Sequence, residues 1–72
     1  MITLTELMNI LSYYPDDTFL IRDQKTNYSE IYYTETELLD SQFASMTVVD
    51  FNATIDNHES SSICYNITVT SS

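Results

Sequence analysis

Apolar residues first recur at helical spacing, with Leu4, Leu7, Met8 and Leu11 in one stripe that Tyr14 continues and Ile10 widens. Thr3 and Glu6 have the spacing of a capping box, and Ile2 and Leu7 stand at the staple positions around it. Pro15 disfavours helical geometry at Tyr14, so the helix is expected to stop near Tyr13, with Asp16-Asp17 as a solvated loop. From Thr18 to Arg22 the period falls to two, with Phe19 and Ile21 on one face and Leu20 and Arg22 on the other. The polar run 23–27 reads as a hairpin loop. Tyr28 to Tyr33 then returns as a strand, with Ile31 and Tyr33 on one face and Tyr28, Glu30 and Tyr32 on the other.

Thr34 and Glu37 repeat the capping-box spacing, with Tyr33 and Leu38 as staple, and predict a short helix from Glu35 to Ser41. The last third alternates most regularly. Val49, Phe51, Ala53 and Ile55 share a face with Thr47 along the segment 47–55, and Ile63, Tyr65, Ile67 and Val69 share one along 63–69. One apolar and one polar face per strand is the pattern of an antiparallel sheet covered on one side. The expected fold is a single α+β domain over residues 1–72: an N-terminal helix packed on a four-stranded antiparallel sheet, with a short second helix between the two hairpins.

Glycine is absent. Turns that need positive φ must therefore use Asn or Asp, and Asp56-Asn57 and Thr26-Asn27 are the candidates. Cys64 is alone, so no internal disulfide or multi-cysteine metal site is expected, and it reads as a buried thiol in a reducing compartment. No apolar run reaches the roughly 20 residues of a membrane span, and the start lacks a basic signal-peptide region, so a cytoplasmic protein is expected. Three N-glycosylation triplets, at Asn27, Asn52 and Asn66, are discounted for the same reason.

The charge changes the picture most. Eleven acids stand against Arg22 and Lys25, for a formal charge of -9 on 72 residues. Acids crowded on a small domain repel one another and cost stability. That charge also opposes direct binding to a phosphate backbone. No enzyme chemistry is expected: His58 falls in a predicted loop, the adjacent acids Asp16-Asp17 read as solvated, and neither a calcium-loop nor a phosphate-loop pattern is present. No cofactor or metal is expected either. The charge density fits a surface steered toward a basic groove that normally holds nucleic acid. Glu30 and Asp50 on the outward sheet face are expected to join Glu35 and Asp40 of the short helix in one acidic surface. Tyr32 stands among them as an interface tyrosine, and Asp23, Asp56 and Glu59 extend the surface at the loops.

The opening residues 4–17, LTELMNILSYYPDD, followed by Phe19-Leu20-Ile21-Arg22-Asp23, resemble a recurring start of small phage-encoded proteins. In size and acidity the chain also resembles phage anti-defence proteins, including anti-CRISPR inhibitors that act as DNA mimics. The resemblance implies a viral inhibitor acting in the host cytoplasm, whose partner is a basic nucleic-acid-binding host protein such as a CRISPR effector nuclease. The alternative expectation is an accessory interaction module that assembles through a sheet edge or Tyr-rich face. The chain itself is expected to be a monomer or homodimer.

Overall fold

Two helices and four strands follow one another as α1 (Leu4–Ile10), β1 (Thr18–Asp23), β2 (Ser29–Tyr32), α2 (Glu35–Leu39), β3 (Thr47–Asn57) and β4 (Ser62–Thr70). The computed structural model describes residues 1–57 and 62–71, with backbone alone at Asp56 and Asn57. The α1 capping box forms: Thr3 Oγ1 accepts from the Glu6 amide at 3.2 Å, and Glu6 Oε1 accepts from the Thr3 amide at 2.9 Å. The helix ends before the expected Tyr13. Leu11 is already extended, with φ -80° and ψ 127°. From there a near two-residue alternation sends Leu11 and Tyr13 inward and leaves Tyr14, the expected stripe residue, 75% exposed. Tyr13 instead sets its ring edge-on to Phe19, with centroids 5.1 Å apart.

The strands form one sheet in the order β2-β1-β4-β3. Both hairpins, β1 with β2 and β3 with β4, are antiparallel, but β1 and β4 lie side by side in parallel. The sheet is therefore mixed, which corrects the antiparallel expectation. Residues 33–46 are the cause. They carry the chain back along the sheet, so that β3 starts at the end opposite to where β2 finishes. Such a crossover takes about a dozen residues or more. The segment satisfies that length and buries Leu38 and Phe43 against the sheet on its way.

β3 also departs from simple alternation. Val48 pairs with Val69 and Asp50 with Thr68, so Val49 is an extra residue in a β-bulge. The bulge shifts the phase of the strand. Val48 joins Phe51, Ala53 and Ile55 on the apolar face, and Thr47 turns to the other. The single positive φ of the described residues falls at Asn27, at 62°, in the β1–β2 turn. Asn tolerates this left-handed region better than most non-glycine residues. Asn57, from the other candidate turn, lies within β3.

All the packing is on one side. Leu4 and Met8 of α1, Phe19 and Ile21 of β1, Tyr32, Leu38, Phe43, and Tyr65, Ile67 and Val69 of β4 make one core cluster. Among the described residues nothing covers the opposite face. It carries Leu20 and Arg22 of β1, Asp50, Asn52 and Thr54 of β3, and Asn66 and Thr68 of β4 around a shallow concavity of about 390 Å³.

Candidate functional site

Strand pairing decides where each acid stands, because directly opposed residues share a face. Glu30 opposes the buried Ile21, so it lies on the helix-bearing side. Asp50 opposes Thr68, which neighbours Arg22, and so lies on the open face at the far edge of the sheet. The two acids expected to share one outward surface are on opposite faces and opposite edges.

Tyr32 is a second departure. It opposes Phe19, is only 8% exposed, and packs edge-on to Phe43 at 6.3 Å. Its hydroxyl donates to Glu30 Oε2 at 3.1 Å, and Tyr28 donates to the same oxygen at 3.3 Å while stacking on Phe43. Tyr32 therefore positions Glu30 rather than meeting a partner itself. Burial, chiefly, holds its hydroxyl pKa above the ordinary value.

Glu35 begins α2 and accepts a hydrogen bond from the Tyr13 hydroxyl, which ties α2 to the segment after α1. Glu37 occupies the third position of α2, its amide donating to Thr34 Oγ1 at 3.2 Å. The Thr34 hydroxyl returns a bond to Glu37 Oε1, so the contact runs between side chains instead of closing a full capping box. Asp40 caps the end of α2 and is exposed. Glu30, Glu35, Glu37 and Asp40 thus form an acidic rim along β2 and α2 on the helix-bearing side. The open face, by contrast, carries Arg22 and Asp50 among Thr, Asn and Leu.

Asp23 turns inward to the chain itself, its Oδ1 accepting from the Lys25 amide at 2.9 Å in the β1–β2 turn. Lys25 Nζ reaches the Ser71 carbonyl at 2.9 Å. The Asp56 side chain, Glu59 and His58 lie outside the described residues.

Asp17 was expected in a solvated loop, yet it is 3% exposed. Its Oδ2 accepts from the Tyr14 amide at 2.9 Å and its Oδ1 from the Ile63 amide at 3.1 Å. The Tyr65 hydroxyl approaches Oδ2 at 3.5 Å. At its start β4 runs two residues, Ser62 and Ile63, beyond the β1 pairing, and the Asp17 carboxylate supplies the Ile63 amide with the acceptor that the neighbouring strand no longer provides. Asp17 is a structural hub.

Cys64 is buried on β4. Among the described residues no group of three or more His, Cys, Asp or Glu side chains gathers as a metal site, and no helix is long and apolar enough to cross a membrane. The chain matches no protein-family model, no curated protein and no solved structure at significance.

Proposed function

We propose that this chain is a non-enzymatic, phage-type inhibitor. Its acidic rim docks on the basic nucleic-acid-binding surface of a host defence nuclease, such as a CRISPR effector, and excludes DNA or RNA by occlusion and charge mimicry. The observation that carries the reading is the uneven placement of charge. Glu30, Glu35, Glu37 and Asp40 line one side, and on that side Tyr28 and Tyr32 hold Glu30 in place through hydrogen bonds. Duplex DNA presents one negative charge per roughly 1.7 Å of its axis, and a rim of preset carboxylates offers a basic groove a partial substitute.

Affinity capture from a host lysate at low and high salt tests the proposal, with the wild type beside the E30Q/E35Q/E37Q/D40N variant. The wild type is expected to retain a basic nucleic-acid-binding protein at low salt and to lose it to added DNA or to high salt. At roughly 0.5 kcal/mol for each surface charge, the variant should bind about thirtyfold more weakly. Capture that ignores salt, nucleic acid and the four substitutions would overturn the reading.

A further inference from the structure

β3 is an edge strand, and its outer side is already used at one end. The Val48 amide donates to the Ile2 carbonyl at 2.8 Å, the Leu4 amide donates to the Met46 carbonyl at 2.9 Å, and Thr3 bridges Thr47 in the antiparallel sense. Beyond that short pairing, residues 49–55 are all exposed, including Val49 at 37%, Phe51 at 39% and Ile55 at 66%. Phe51, Ala53 and Ile55 lie on the helix-bearing face, and Asp50, Asn52 and Thr54 on the open one. The Phe51 amide donates to its own Asp50 Oδ1 at 2.9 Å. It therefore faces outward, and by alternation so does the Ala53 amide.

We propose that this edge pairs with the β3 edge of a second copy of the chain, antiparallel and centred on Asn52, to make one continuous sheet. A two-fold axis there sets Asn52 against its own counterpart and Phe51 against Ala53 of the second copy. It also sets Val49 against Ile55 and Asp50 against Thr54, so large side chains meet smaller or aliphatic ones and no two acids oppose. The pairing would end where Ile2 occupies the edge, which limits it to residues 49–55.

The self-complementary register, in which no two acids oppose, argues for a second copy. The like charge of that copy opposes association, and the placement of the charge selects this edge over the β2 edge. Asp50 is the single ionisable residue between Thr47 and Ile55, and the rim of Glu30, Glu35, Glu37 and Asp40 is at the opposite edge. With strands about 4.8 Å apart, the two β2 strands of such a dimer are about 34 Å from each other. That is several Debye lengths at physiological salt. The bulge at Val49 and the Asp50 carboxylate are features that weaken edge pairing, and the short overlap keeps the association weak and reversible. This pairing is independent of the proposed inhibitor role, and its salt dependence has the opposite sign.

Sedimentation of the full chain over a concentration series tests it. Raising salt from about 0.01 M to about 0.1 M shortens the Debye length from about 30 Å to about 10 Å. The dimer fraction should then rise several-fold. A53P removes an amide that no β4 partner uses, a position where an edge strand tolerates proline, and should leave a folded monomer. N52C in a C64A background places two thiols at a non-hydrogen-bonded pair with Cα atoms about 4.5 Å apart, within disulfide range. Mild oxidation should therefore link it into covalent dimers. Should A53P fail to fold, the N52C crosslink still decides. A chain that stays monomeric at both salts, or N52C that forms no linked dimer, overturns the proposal.

Discussion

Among the polar residues described, Asp17 is the buried one, and its loss should be felt most of these. Replacing it with Ala strands the Tyr14 and Ile63 amides in a buried site, and each orphaned donor costs on the order of 1–3 kcal/mol. D17A is expected to lower the urea midpoint by the equivalent of about 2–4 kcal/mol with the slope unchanged, and D17N, which keeps one carbonyl acceptor, by less. Nothing in the sequence separated Asp17 from Asp16, because the distinction depends on where β4 starts relative to β1. Tyr13 gives a second test. The hydrogen bond to Glu35 comes first among the causes that push its pKa up to about 12 from the ordinary 10.0. A raised folded-state value favours the protonated form, so this contribution is complete below pH 10 and is lost as pH climbs toward 12. Tyrosinate absorbance should show a late-titrating fraction, to which the buried Tyr32 and Tyr65 also contribute, and E35Q should bring the Tyr13 share of it back toward the ordinary range. Y13F should remove the matching loss of stability in alkali.

At the level of elements, caps and turns were the most legible. Thr3 with Glu6 and Thr34 with Glu37 mark helix starts through local spacing alone, and a chain without glycine had to place an Asn or Asp at any positive φ. N27A is therefore expected to lose about 1–2 kcal/mol in thermal or urea unfolding, since Ala in the left-handed region lacks the local side-chain bonding that Asn offers. The bulge at Val49 was not legible. Val48, Val49 and Phe51 fit either phase of an alternating pattern, and only the pairing with Val69 and Thr68 selects one. The parallel β1–β4 contact was equally hidden, because each hairpin is satisfied locally whichever way the two are joined. The site suffered for the same reason: face assignments within β1, β2 and β4 were sound as groupings, while the bulge broke the one in β3, and which grouping faced the helices depended on register. Tyr32 was thus placed outward with Glu30, when Phe19 and Phe43 hold it inside.

For the whole molecule, self-repulsion of a -9 charge is a standing load that salt relieves. The thermal midpoint should rise by several degrees between about 0.01 M and about 0.1 M salt, the range over which surface charges become largely screened. The E30Q/E35Q/E37Q/D40N variant should show a smaller rise, and an equal rise in both would mean that the rim is not where the repulsion lies. The strand order carries a different consequence, for the time course of synthesis. β4 lies between β1 and β3 yet is translated after both. While the first three strands leave the ribosome, β1 has only β2 beside it, and Phe19 and Ile21 lack the Tyr65, Ile67 and Val69 side chains that complete their cover. A nascent chain halted before β4 should remain protease-sensitive throughout, and resistance should appear in one step once that strand emerges.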